Sequence, residues 1–181
     1  GVVAAGHDDD IAIGTAVDQA GTHAHRDGVG PGGPAALAGR IVAAGDSLRV
    51  TRTDRRAFEA VSAQVTEAKF HELARTITLA LGELPPGRGT IVVAAAGTAD
   101  LPVAEEAAVS AELMGNVVDR VYDVGVAGLH RLLAEHVRLT AARVIIAVAG
   151  MEGALPSVIG GLVSVPVVAV PTSVGYGASF G

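Results

Sequence analysis

The feature that most constrains the fold is a rhythm in the second half of the sequence. Short apolar runs alternate with Ala- and Leu-rich segments, and turns rich in glycine separate them. Ile91 to Ala96, Val117 to Tyr122, Arg143 to Val148 and Val165 to Val170 read as strands; Pro102 to Met114, His130 to Val137 and Ala154 to Leu162 read as helices. Such alternation implies right-handed βαβ crossovers and an open parallel sheet, with ligands held at the carboxyl edge of the strands. The most informative of these junctions is AGMEGALPSVIGGL, Ala149 to Leu162, which sets a carboxylate and a proline inside a glycine-rich turn directly after a strand.

The composition suits that architecture. Half of the residues are hydrophobic but only 3% are aromatic, and there are 24 glycines, so the core must be built from Val, Ala, Leu and Ile. The net charge of −6 argues against a nucleic-acid partner, because such binding rests mainly on phosphate neutralisation by Lys and Arg. Small acidic ligands stay open, since helix N-termini can hold them locally. The absence of cysteine rules out disulfides, thiolate metal sites and cysteine nucleophiles within these 181 residues. No apolar run reaches the roughly 18 residues of a membrane span, and no basic segment leads into a hydrophobic one at the start. The expectation is a soluble cytoplasmic protein without a membrane partner.

Two prolines and two glycines in ELPPGRGT, Glu83 to Thr90, read as a linker, dividing the chain into a small α/β lobe over 1–85 and a second domain over 86–181. In the lobe, Ala35 to Ala44 reads as a helix, Ser47 to Thr53 and Ala74 to Leu81 as strands, and Asp54 as the cap of a helix beginning at Arg55. The first third of the lobe is read as flexible, because GTHAHRDGVGPGGP, Gly21 to Pro34, offers little to a core. Gly28, Gly30 and Gly33 have dinucleotide-binding spacing, but no strand precedes them and prolines interrupt them; the match is read as accidental. His23 and His25 are read as solvated rather than metal-bound, and Asp8 to Asp10 as a surface or helix-start cluster.

The strand ends carry the candidate chemistry. After the first strand, AGTADLPVAEEA places Gly97 where backbone can approach a ligand, with Thr98 and Asp100 offering hydroxyl and carboxylate; an ordinary helix cap is the alternative. After the second, DVGVAGLHRLL sets His130 and Arg131 at a helix start, suited to proton transfer and phosphate binding, or to a plain surface pair. After the third, Glu152 stands among Gly150, Met151, Gly153, Ala154 and Leu155; a cap with Pro156 in the first turn is the alternative there. After the fourth, Thr172, Ser173 and Tyr176 lie among glycines, able to contact sugar or phosphate oxygens.

Read together, AGTADLPVAEEA, DVGVAGLHRLL, AGMEGALPSVIGGL and VPVVAVPTSVGYGASFG closely resemble the LarB family, the carboxylase/hydrolase that begins synthesis of the nickel-pincer nucleotide cofactor, itself similar to the PurE family of purine biosynthesis. KFHELARTITL, Lys69 to Leu79, is a weaker upstream match. The resemblance implies a PurE-like three-layer αβα parallel-sheet core and, by analogy, a homo-oligomer, an octamer. It implies that CO2 is added to the pyridinium ring of nicotinic acid adenine dinucleotide and the phosphoanhydride hydrolysed, giving pyridinium-3,5-biscarboxylic acid mononucleotide and AMP. Gly97, Thr98 and Asp100 match the nucleotide-binding turn; His130 and Arg131 match the pair facing the reacting ring and phosphate; Gly150 to Leu155 match the loop that closes over the base.

A pyridinium ring resists attack on CO2 until a nucleophile adds to it and gives it enamine character. In the LarB family that nucleophile is a cysteine downstream of the last motif, whereas this chain has none and stops at Gly181, where the family continues into a helix, the cysteine and a final strand. The expectation is therefore a domain truncated at its C-terminus, binding the dinucleotide without turning it over. Glu152, His130 and Asp100 are the candidates for proton transfer and for positioning hydrolytic water, Glu152 first. No cofactor is firmly implied, although Asp100, Glu152 and a pyrophosphate make a set able to hold magnesium. Two other readings stay open: a PurE-like carboxylase or mutase of aminoimidazole ribonucleotide, and a non-catalytic nucleotide-binding subunit. Against the first, AGMEGALP differs from the Ala-Ala-His-Leu-Pro loop of that family.

Overall fold

A computed structural model describes residues 12–15, 33–83 and 86–173 of the chain. It divides into two compact units, Gly1–Leu84 and Pro85–Gly181. The readings placed on Asp8 to Asp10, His23, His25, Gly28, Gly30 and Tyr176 lie outside the described residues.

The first unit holds a four-stranded antiparallel sheet in the order β1-β2-β4-β3, formed by β1 (Ala12–Thr15), β2 (Leu48–Thr51), β3 (Lys69–His71) and β4 (Thr76–Leu79). Helices α1 (Gly33–Ala43) and α2 (Arg55–Ser62) accompany it. The pairing of Leu48 with Leu79 and Val50 with Ile77 puts four apolar side chains on one face, where they join Ala38, Val61 and Val65 in the core. Phe58 of α2 stacks on Phe70 of β3, with ring centroids 5.5 Å apart. Asp54 caps α2 as expected, accepting the Ala57 N–H at 2.8 Å.

Two strands here escape a sequence reading. β3 has a single apolar residue, Phe70, between Lys69 and His71, too short a run for alternation to register. β1 lies within the third read as flexible; only its pairing with β2 makes it a strand. α1 also begins at Gly33, inside the segment read as loop.

The second unit is a four-stranded parallel sheet between two helical layers. Its strands are β5 (Thr90–Ala95), β6 (Val117–Val121), β7 (Val144–Ala149) and β8 (Val167–Pro171), in the order β6-β5-β7-β8. The helices are α3 (Leu101–Leu113), α4 (Leu129–Ala134), α5 (His136–Ala141) and α6 (Leu155–Leu162). Alternate residues of each strand serve opposite faces. Val93, Ala95 and Val148 meet Ala104 and Ala108 of α3, while Val92, Ala94, Ile145 and Ala147 meet Leu132, Leu139, Leu155 and Ile159 of α4, α5 and α6. Small residues such as Ala104 and Ala108 let α3 lie close to the sheet, which is how a core with so few aromatics reaches close packing.

The single helix expected over His130 to Val137 is two. Glu135 leaves the helical conformation, and α5 restarts at His136. Leu132 of α4 and Leu139 of α5 are both buried in the core, and Arg138 of α5 pairs with Glu135 at the break and with Asp119 of β6. The Arg138 hydrogen bond holds the Asp119 carboxyl below its ordinary range, against the opposing effect of burial.

On the other face Tyr122 donates to Glu105 at 2.7 Å, and Glu105 also receives Arg120, tying α3 to β6. Burial, and then the bond to Glu105, push the Tyr122 phenol above its usual value of 10.0. A raised phenol means the folded state favours the neutral form. The resulting stabilisation is complete below about pH 10 and is lost as pH climbs beyond it and the unfolded chain ionises. Tyr122→Phe is expected to lower stability by about 1.5–3 kcal/mol at neutral pH and to flatten the alkaline limb; denaturant titrations across the range pH 7–11 would check both. An unchanged alkaline slope in the variant would remove Tyr122 as its source.

Among the described residues, no helix is long and apolar enough to cross a membrane.

Candidate functional site

The strand order creates the site. From β5 the chain moves outward to β6, then crosses back to the opposite side of β5 to form β7, so the connections leaving β5 and β7 diverge. In open α/β sheets that divergence opens a crevice at the carboxyl ends of the strands. The loops after β5 and β7 carry Gly97 to Asp100 and Gly150 to Ala154, flanked by the β6 loop with Asp123 to Gly128 and the segment after β8 with Thr172 and Ser173.

Asp100 is the most constrained polar group there. Its side chain is buried, with 6% of the residue exposed. Oδ2 accepts the Gly97 N–H at 3.0 Å, while Oδ1 accepts the Gly150 N–H at 3.0 Å and the Thr172 hydroxyl at 2.7 Å. Thr172 is itself buried, at 5% exposure. Both oxygens of Asp100 thus face N–H and O–H donors, the opposite of what a cation needs. Among the described residues no group of three His, Cys, Asp or Glu side chains is placed to hold a metal. The magnesium set of Asp100 and Glu152 does not fit this arrangement.

The Glu152 loop is a tight turn closed by the Gly153 N–H donating to the Gly150 carbonyl at 3.0 Å. Met151 adopts a left-handed backbone, φ 52°, as does Gly153, φ 64°. A non-glycine residue there is strained by roughly 1–3 kcal/mol, tolerated where the surroundings over-determine it. The turn leaves Met151 and Glu152 exposed at the strand edge. Glu152 makes no side-chain hydrogen bond among the described residues.

Opposite, Arg131 is folded back rather than extended. Its Nε donates to the Asp123 carbonyl at 2.7 Å, and its terminal nitrogen lies 3.4 Å from the Asp123 carboxylate. Asp123 is also left-handed, φ 59°. The guanidinium rests where a side chain on Gly128 would begin: a Cβ there would meet Arg131 Cζ at 2.6 Å. His130, on the same turn of α4, is exposed.

The residues expected from sequence therefore separate into two sets. Thr98, His130, Arg131, Met151, Glu152 and Ser173 are exposed around the crevice, with Gly97, Gly150, Gly153 and Ala154 half-buried in its loops. Asp100 and Thr172 are buried against each other. Leu155, also expected in the substrate loop, has its side chain in the core with Ile159, at 1% exposure, because the first apolar residue of α6 faces the sheet. Asp123, Gly125 and Gly128 belong to the arrangement yet were not singled out; the glycines after Asp123 in DVGVAG were the available signal.

Gly128→Ala is expected to displace the Arg131 guanidinium while changing stability by less than about 1 kcal/mol, because only a flexible side chain must move. Denaturant midpoints of the variant and the parent check this; a loss of more than about 2 kcal/mol would mean that the guanidinium cannot move aside.

Comparison with known proteins falls on the same half of the chain. Residues 90–179 match the family described as AIR carboxylase. An uncharacterized protein of Methanocaldococcus jannaschii is 53% identical over 91 residues, covering 49% of this chain and 36% of that relative. The chain thus spans about a third of the length of this relative.

Proposed function

We propose that residues 90–179 form an AIR carboxylase domain that serves a LarB-type carboxylase, binding nicotinic acid adenine dinucleotide and carrying the proton transfers that accompany CO2 addition to its pyridinium ring. The family supports a carboxylase or mutase. The observation that carries the finer reading is the Gly150–Gly153 turn, which presents an exposed carboxylate, Glu152, at the point where the strand order reverses.

In this reading a thiolate adds to the ring carbon adjacent to the one to be carboxylated, and the electron pair moves to the ring nitrogen as an enamine. The enamine carbon attacks CO2 and forms the new C–C bond. Glu152 then accepts the proton from that carbon, the ring regains its double bond, and the thiolate leaves with aromaticity restored. The thiol is a co-reactant that these 181 residues do not supply. Arg131 holds a phosphate of the ligand, exchanging Asp123 for it, and His130 serves water attack on the phosphoanhydride, which yields AMP.

A second reading, carboxylation or rearrangement of aminoimidazole ribonucleotide, is favoured by the family match itself. Its ring is electron-rich and needs no thiol. The test measures binding of both ligands to the protein, then incorporation of labelled bicarbonate into each with and without added thiol. Tight binding of the dinucleotide with thiol-dependent labelling is the expected result. Labelling of the aminoimidazole alone would establish the second reading, and binding without labelling of either would leave a nucleotide-binding module.

A further inference from the structure

We infer that Asp100 and Thr172 are positioning residues: a buried hydrogen-bonded pair that holds the Glu152 turn in register with the loop after β5, rather than groups that exchange protons with substrate. The inference rests on the crevice being the site proposed above, but its structural half is independent of which reaction occurs there.

Three donors converge on one carboxylate from the carboxyl ends of three different strands. Gly97 follows β5, Gly150 follows β7 and Thr172 follows β8. A buried carboxylate that accepts three such hydrogen bonds, two at Oδ1 and one at Oδ2, has most of its acceptor capacity taken up within the protein. A general base needs the opposite, an oxygen free to take a proton. Glu152 meets that requirement, being exposed and two residues beyond the Gly150 amide that Asp100 anchors. The turn it sits on contains the left-handed Met151, a conformation that needs outside support. Asp100 supplies that support at the first residue of the turn. Thr172 in turn fixes the Oδ1 atom, because its hydroxyl donates to it at 2.7 Å.

Thr172→Val keeps the shape and removes the donor, Thr172→Ser keeps the donor, and Asp100→Asn places an NH2 group against a ring of donors. Hydrogen exchange of the segment around Gly150–Gly153 is the first readout. Thr172→Val is expected to speed it about tenfold or more, the scale of one charge-assisted bond, and Thr172→Ser to restore it. Turnover should fall in Thr172→Val and Asp100→Asn with the ligand Kd little changed and the shape of the pH–rate profile retained. Wild-type exchange in a folded Thr172→Val protein would overturn the inference. So would loss of one limb of the pH profile in Asp100→Asn, which would make Asp100 a proton-transfer group. If the wild-type protein carboxylates nothing, the proposed reaction fails while the exchange experiment still decides whether the pair holds the turn.

Discussion

If the proposed reaction holds, replacing Glu152 by glutamine is expected to reduce thiol-dependent carboxylation by about 10²–10⁴-fold, the range associated with losing a positioned general base, without lowering the melting temperature. The side chain is exposed and engages no hydrogen-bond partner among the described residues, so the fold does not depend on its charge. The substitution keeps shape and removes only the ability to accept a proton. Ligand affinity should therefore survive while turnover does not, a split that follows when an interaction is made only at the reacting stage. Labelled-bicarbonate assays beside dinucleotide titrations check it. Turnover within about threefold of the parent would leave His130 as the remaining exposed titratable side chain among the candidate catalytic residues.

Gly125→Ala is expected to be the most damaging single substitution to the architecture of the site, destabilising the protein by about 1–3 kcal/mol as an overpacked position. The backbone at Gly125, φ −59° and ψ 152°, is open to any residue, so conformation is not the obstacle. Space is. A Cβ there would lie 2.7 Å from the Ala96 carbonyl oxygen and 3.4 Å from its carbon, and these are backbone atoms at the end of β5. The loop cannot swing aside freely, since the Val124 N–H is bonded to the Ala95 carbonyl at 3.1 Å and the Gly128 N–H to the Gly125 carbonyl at 2.9 Å. Relief must come from parting the β5 and β6 loops. Gly97→Ala is the matched control: its Cβ would meet only Asp100 Oδ2 at 3.9 Å, an ordinary contact, so its stability should stay within about 0.5 kcal/mol of the parent. Denaturant midpoints of the two variants decide the matter, and equal midpoints would mean that the close approach at Ala96 relaxes without penalty.

Much of the second unit is legible from its sequence because its signals are local. Apolar runs bounded by glycine mark β5, β6, β7 and β8 within a residue or two, and Pro102 and Pro156 mark the first turns of α3 and α6. The Asp54 cap in the first unit is equally local, a carboxylate three residues from the amide it accepts. The exposed members of the site follow for the same reason: a residue in the turn after a parallel strand stands at the carboxyl edge, whatever the order of the strands.

Only the tertiary structure decided what those residues do. Asp100 looks the same in sequence as any acidic residue near a helix start. Its engagement depends on Gly150, 50 residues away, and Thr172, 72 residues away. Leu155 follows the ligand loop in sequence, and only the packing of α6 shows its side chain in the core; Glu135 reads as mid-helix, whereas the folded chain ends α4 there and begins α5 at His136. The strand order itself is invisible locally, because parallel strands buried on both faces carry nearly the same apolar pattern. Periodicity and turn chemistry are properties of neighbouring residues, so the sequence alone determined the elements and the edge where a ligand can sit. Burial and hydrogen-bond partnership are properties of residues far apart in the chain, so only the folded structure separated the exposed Glu152 from the buried Asp100 with its three donors.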